Sequence, residues 1–259
     1  MSNVTKFLRE IKARDCNLTK IRIGNKRDGG YVALKELCEK TGVVYSFGVG
    51  DDIGFELDFV DRFPQVREIR LFDPTINYLP IVHPKFIFNR VGVGRGLNAL
   101  NTLCRRETDN AMLKMDIEWN EWEVLQYASD ETLQAYDQIL IEFHIVKIDD
   151  VVAENYTAYF QDFMTSVYDK INQRLFHMYL EIIRKLKRLF YIYHVHANNS
   201  LAKVCAGGHS FPPLIELSLV RKDLVKGVHE TTSGFPVEGL DYPNKSDRED
   251  ITNFYPLGE

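Results

Sequence analysis

The chain has few cysteines, no long apolar run, no internal repeat and no excess of positive charge. Each absence closes off a class of protein. Its four cysteines, Cys16, Cys38, Cys104 and Cys205, stand far apart with no paired spacing, which argues against a zinc site and a disulfide framework and leaves reduced thiols. Apolar runs such as 139–141 and 189–193 fall well short of the roughly 20 residues that span a bilayer, so no membrane span is expected. The opening MSNVTKFLREIKARD is charged throughout and lacks the apolar core and cleavage site of a secretory leader, so a cytoplasmic setting is the expectation. A net charge of −5 gives no general attraction to phosphate backbones. The one basic run, Arg184 to Arg188, falls inside a helical pattern where a solvated face accounts for it. Nucleic acid is not an expected partner.

What is present is an ordinary globular composition, 45% hydrophobic and 27% charged over 259 residues, sufficient for one core. A single domain over 1–259 is expected, with 1–30 as an N-terminal helical extension and cap and 223–259 as a tail rich in Gly, Pro and acid. Strand patterns fall at 43–47, 68–72, 85–90, 111–115, 138–143, 189–195 and 214–221, with helical stretches at 54–63, 97–106, 119–135 and 156–188. This alternation predicts an α/β fold, a Rossmann-like, seven-stranded, mostly parallel sheet with helices on both faces. The last two strands follow each other without a helix, which predicts an antiparallel strand at one edge. Within 156–190, Tyr156, Phe160, Phe163, Val167, Ile171, Leu175, Met178, Ile182, Leu186 and Leu189 recur at spacings of three and four, a core stripe.

In YSFGVGDDIGFELDF a buried strand runs into Gly48, Gly50 and Gly54 with Asp51 and Asp52 between them. Ligands of open α/β sheets bind at such strand ends, and glycine lets the backbone turn through positive φ and come close to a ligand. The spacing departs by one residue from the dinucleotide fingerprint, and two aspartates stand where a pyrophosphate would need N–H donors. A cationic, phosphate-free ligand such as S-adenosylmethionine suits the turn better. The next strand ends in LFDP, with Asp73 at its tip, where a carboxylate accepts hydrogen bonds from ribose hydroxyls. A tight turn with Asp73 capping a loop is the plain structural alternative.

Later strand ends carry further polar groups. MLKMDIEWNEWEVL ends its strand at Asp116, followed by Glu118, while Glu121 and Glu123 read as first-turn helix acids offsetting the dipole. ILIEFHIVK sets Glu142 and His144 on one face of a strand, and YIYHVHANNS does the same with His194 and His196 before Asn198 and Asn199. Tips of neighbouring strands meet in one crevice.

Taken together, YSFGVGDDIGFE, LFDP and LKMDIEWNEWEVL resemble the class I S-adenosylmethionine-dependent methyltransferases, and specifically the FkbM type, over residues 21–221. The resemblance implies O-methyl transfer to a hydroxyl of a small-molecule or glycan acceptor. Gly48 and Gly50 would hold the methionine part of the cofactor, Asp73 its ribose, and Asp52 or Asp28 its amino group. Asp116 and Glu118 match the family's D-x-E, Glu118 being assigned with Asn198 to the substrate. Trp119 stands where the family has Gly, and Gly48 where it has an acid. His144, or second His196, is the expected general base, with Asp116 orienting the acceptor or the base. Asp116, Glu142 and His144 could instead hold Mg²⁺ or Mn²⁺. Asn198 and Asn199 either bind sugar hydroxyls or form the turn after a strand. Two rivals stand beside this reading: a nicotinamide-dependent dehydrogenase, and a noncatalytic binding module on the same fold.

Overall fold

Val43–Phe47, Ala111–Met115 and Tyr136–His144 are buried along their whole length, as strands covered on both faces must be. In the computed structural model they form the centre of a seven-stranded sheet. The structure describes residues 1–104, 110–145, 158–206 and 209–252, the backbone alone for 158–173 and 205–206. We number the sheet strands β1 (Val43–Phe47), β2 (Glu68–Phe72), β3 (Phe86–Asn89), β4 (Ala111–Met115), β5 (Tyr136–His144), β6 (Phe190–Ala197) and β7 (Leu214–Arg221). Their order is β3-β2-β1-β4-β5-β7-β6. The strands β1 to β5 pair in parallel, and β7 is antiparallel to both β5 and β6.

The last two strands do form an antiparallel pair at one edge, as expected, but the expected antiparallel edge strand is corrected by one place: β7, antiparallel to both neighbours, lies inside the sheet and β6 forms the edge. A direct β6-to-β7 connection reverses the chain, and β7 completes the ladder of β5 that β6 leaves open. Two helical expectations also shorten. The 97–106 stretch holds a 3₁₀ turn at Gly96–Asn98 and a short helix Leu100–Leu103, residues 105–109 lying outside the described part. The 119–135 stretch splits into Glu121–Tyr127 and Asp130–Gln134, where Ser129 caps the second helix by accepting from Thr132 N–H.

Period-two alternation sends successive residues of each strand to opposite faces. Tyr45, Phe47, Leu113, Met115, Ile139, Ile141 and Phe143 pack on one face with helix Asn3–Glu10, helix Glu121–Tyr127 and the long helix Ala158–Leu189. That helix contributes Phe176, Tyr179, Ile182, Ile183 and Leu186; the expected stripe members before residue 174 lie outside the described side chains. On the other face Val44, Ile69, Leu71, Met112 and Leu140 pack under helix Gly54–Arg62. The two pieces of RIGNKRDGGYVAL form an antiparallel hairpin, Lys20–Ile23 with Tyr31–Leu34, which covers the β5–β7–β6 side of that same face. There Gln138 Oε1 accepts from Leu34 N–H at 2.7 Å, and Ser218 Oγ donates to the Val32 carbonyl at 2.7 Å.

The tail, expected to be a surface segment, is fastened at points between Asp241 and buried Ile251. His194 Nε2 lies 2.7 Å from Asp241 Oδ1, and Asn199 holds the main chain of Lys245 on both sides. Cys16, Cys38 and Cys104 are free thiols. Among the described residues no helix is long and apolar enough to cross a membrane.

Candidate active site

The sheet order reverses between β1 and β4, and the crevice beyond their carboxyl ends is the usual ligand position of an open α/β sheet. The crevice is a cleft of about 510 Å³ lined by the 47–52 turn, the β2 tip through Thr75, and the residues after β4. The glycines of the turn serve different ends. Gly48 has φ +72°, and a Cβ there would stand 1.6 Å from the Asp116 carbonyl, so glycine lets the ends of β1 and β4 touch. Gly50 has φ +52° with open space where its Cβ would be. Its N–H donates to Asp73 Oδ2 at 2.8 Å, while Asp73 Oδ1 accepts from the N–H and hydroxyl of Thr75. Burial alone would raise the Asp73 pKa, but these hydrogen bonds outweigh it and hold the carboxyl below its ordinary value.

Asp52 is turned to a local task. Its Oδ1 accepts from Gly54 N–H and its Oδ2 from Asn25, both at 2.8 Å, so it steadies the start of helix Gly54–Arg62 while lining the cleft. Asp28, carried in by the hairpin turn, lines the cleft beside it.

The β4 tip holds Asp116, Glu118 and Trp119. Glu118 and Trp119 have φ of +52° and +81°, consecutive left-handed residues without glycine. Glycine adopts such angles without strain. Such φ values cost a non-glycine residue about 1–2 kcal/mol each, and strain of this kind gathers at functional sites. The Trp119 ring lies beside the His144 ring, centroids 5.3 Å apart.

His144 sits at the centre of the acidic groups. Its Nδ1 is 3.1 Å from Glu121 Oε1, and its Nε2 lies 3.3 Å from Glu118 and 3.7 Å from Glu142. Of these contacts only Nδ1 to Glu121 has hydrogen-bond geometry, and a carboxylate only accepts, so Nδ1 carries the proton of the neutral ring, while the acids beside Nε2 favour its protonation as well. Burial favours the uncharged ring, but Glu121, Asp116 and Glu118 outweigh it and raise the His144 pKa. Burial, helped by Glu121 and Glu118 and opposed by Lys114 and His144, pushes Asp116 up to about 6. Burial, then the charges of Asp116 and Glu216, pushes Glu142 well above the usual carboxylate range. One donor atom from each of Asp116, Glu142 and His144 lies within 4.8 Å of the others.

Three residues at the site were not singled out in the sequence. Glu121, read as a first-turn helix acid, is fully buried and binds both Ile117 N–H and His144. The signal was its place on the apolar stripe shared with Trp122, Val124 and Leu125, where a carboxylate is costly unless paired. Tyr31 donates to Asp116 Oδ2 at 3.2 Å, and buried Lys114 donates to the Gly48 carbonyl at 3.2 Å. Tyr31 approaches from a hairpin distant in sequence, which no local pattern announces.

The geometry brings His144, Asp116, Glu118 and Glu142 together and leaves His196 apart. His196 pairs with Glu216 at 3.2 Å and Asp250 at 3.6 Å. Against the burial that disfavours charge, these acids raise its pKa to about 10. It is thus a cation at neutral pH, unsuited as a base. Asn198 is buried, its Nδ2 donating to Glu142 at 2.9 Å and its Oδ1 accepting from Ser200 N–H at 2.8 Å. It braces the site through these bonds.

No family model matches the chain, and no curated protein matches it. A solved structure that matches is that of bluetongue virus VP4, described as revealing a multifunctional RNA-capping production line. The TM-score is 0.30 at 17% identity, with 54% of this chain and 25% of that chain covered, so this chain spans about a quarter of the other's length. A superposition that loose says nothing about shared chemistry.

Proposed function

We propose that this chain is an S-adenosylmethionine-dependent O-methyltransferase of the FkbM type, acting on a hydroxyl of a sugar, glycan or other small molecule. One observation carries the reading: the cleft at the switch point is lined by six carboxylates, Asp28, Asp51, Asp52, Asp73, Asp116 and Glu118, with no lysine, arginine or histidine. Such a surface favours a ligand with a cationic centre and repels a pyrophosphate. It argues against the dehydrogenase reading, as does Gly50, whose N–H a phosphate would need but which is given to Asp73. The insertion of β7 between β5 and β6 also departs from the 3-2-1-4-5-6 order of the dinucleotide-binding fold.

The residues present fit the cofactor. Asp73 Oδ2, which accepts from Gly50 N–H, lies on the cleft wall where a ribose hydroxyl would meet it. Asp51 and Glu118 keep exposed carboxylates in the cleft for the amino group. Asp52, the expected partner for that group, is engaged with Gly54 and Asn25. When bound, the cofactor supplies an electrophilic methyl on a positively charged sulfur. His144 Nε2, its tautomer set by Glu121, takes the proton of the acceptor hydroxyl, a role typically worth about 10²–10⁴-fold. Asp116, held by Tyr31, orients the acceptor.

A second reading of the same site has its own observation. Asp116, Glu142 and His144 offer the oxygen-rich donor set that suits Mg²⁺ or Mn²⁺. A cation there would supply Lewis acidity to the acceptor hydroxyl and would occupy His144. The two readings separate on chelation: transfer that survives EDTA supports His144 as base, and loss restored by Mg²⁺ or Mn²⁺ supports the metal. The function itself is tested by incubating the protein with methyl-labelled S-adenosylmethionine and a panel of oligosaccharides, phenols and peptides. Label in a saccharide is expected. Label confined to peptides contradicts the sugar assignment, and binding of cofactor with no transfer to any class supports a noncatalytic module.

A further inference from the structure

The methyl-donor cleft leaves a neighbouring feature unexplained. A second cleft of about 550 Å³ is walled by residues 25–28 of the hairpin turn and 244–247 of the C-terminal segment. Asp28 and Asp52 line both clefts, which therefore share an edge. Every residue lining the second cleft is polar or charged. Pockets for ordinary small molecules are predominantly hydrophobic and aromatic, and no apolar or aromatic side chain lines this one.

The charge also changes across the shared edge. The first cleft is lined by no basic residue, whereas in the second Lys26, Arg27 and Lys245 offset the carboxylates of Asp28, Asp52 and Asp247. All three are exposed, and none forms an ion pair with a described carboxylate. Asp28, Asp247, Asn25 and Ser246 supply acceptors and donors of the kind that bind hydroxyl groups. From the shared edge a short chain of contacts leads to the base. Asn198 Nδ2 lies 3.5 Å from Asp28 and 2.9 Å from Glu142, and Glu142 lies 3.7 Å from His144 Nε2.

We propose that the second cleft is the acceptor site and that the acceptor is an acidic saccharide. Its anionic group, a carboxylate or sulfate, is met by Lys26, Arg27 and Lys245, while its hydroxyls bond to Asp28 and Asp247. The direction in which it lies, reacting hydroxyl towards Asp28, rests on the methyl-transfer reading; the binding does not. A polyphosphate chain is disfavoured because it would have to run on past the six carboxylates next door.

The proposal is tested by calorimetric titration of the full chain with a glucuronate-containing disaccharide, its sulfated counterpart and the matched neutral glucose disaccharide. An acidic sugar is expected to bind at least about tenfold more tightly than the neutral one, and to lose affinity as salt is raised. The tighter of the two acidic sugars identifies the anion. The double substitution Arg27→Gln, Lys245→Gln is expected to erase the preference. It spares the fold, since the contacts with Asn199 use the main chain of Lys245; if the pair fails to fold by thermal melting, Lys245→Gln alone takes its place. Equal affinity for neutral and acidic sugars, an unchanged preference in the variant, or tighter binding of a short single-stranded RNA overturns the proposal. Titration of the wild-type chain and the variant with S-adenosylmethionine keeps the two readings apart. Failure to bind it sinks methyl transfer and leaves the saccharide result standing, and equal binding in both chains shows that any loss of sugar affinity is local.

Discussion

The Nδ1 of His144 lies 3.1 Å from Oε1 of Glu121, a carboxylate sealed from solvent on the apolar stripe of its helix. The pair sets both the tautomer and the basicity of the ring. Removing the charge while keeping an acceptor, as in Glu121→Gln, takes away the largest influence that raises the His144 pKa. A base works only when unprotonated, so if His144 is the base of the proposed transfer, the wild-type rate is expected to rise with pH through a value above 6.5, the ordinary value for histidine. In the variant that limb moves towards acid. The linked stability follows the same sign: it is fully present below 6.5, fades as pH rises through the folded value, and shrinks in Glu121→Gln. A pH profile of transfer rate checks the shift, and an unmoved profile removes Glu121 from the role of positioning residue.

The two glycines of the turn are expected to respond differently to alanine. Gly48→Ala drives a methyl into the Asp116 carbonyl at φ +72° and is expected to cost about 4 kcal/mol or more. Gly50→Ala meets nothing within 4 Å and should cost only about 1–2 kcal/mol from its positive φ, while weakening cofactor binding. Denaturant melts and cofactor titrations of both variants read these two quantities.

Trp119 offers a separate test of backbone strain. Because its φ is +81°, Trp119→Gly is expected to be more stable than Trp119→Ala by about 1–2 kcal/mol. Ordinary backbone at this position would make alanine the more stable of the two.

His196 carries the prediction for the tail. Its pKa of about 10 lies above the ordinary 6.5, so the pairing with Glu216 and Asp250 contributes stability that is complete below pH 6.5 and is lost as pH climbs to about 10. Replacing it by Gln strands a buried carboxylate, at a cost of about 3–5 kcal/mol. Thermal melts across that window should fall in the wild type and run flatter in the variant.

Much of the fold was legible in the sequence. All seven sheet strands fall within two residues of their expected bounds, because buried parallel strands are runs of Val, Ile, Leu and Phe broken by turn residues. The place of β7 was not legible, since sheet order depends on which ladder is left open. At the site, Gly48, Asp73, Asp116, Glu142 and His144 could be picked out by their positions at strand tips. The partners of His196 and Asn198 were not legible, because Glu216, Asp250 and Glu142 come from three other segments. Glu121 and Tyr31 were missed for a similar reason, as a helix acid and a hairpin tyrosine gain meaning only when tertiary packing sets them against His144 and Asp116.

The central claim is that the carboxylate-lined cleft seats a sulfonium and refuses a pyrophosphate. Calorimetric titration of the full chain with S-adenosylmethionine and, separately, with NAD tests it most directly. The account predicts saturable binding of S-adenosylmethionine, weakened at least about tenfold by Asp73→Ala, with no heat from NAD. Saturable binding of NAD, with S-adenosylmethionine silent, contradicts it.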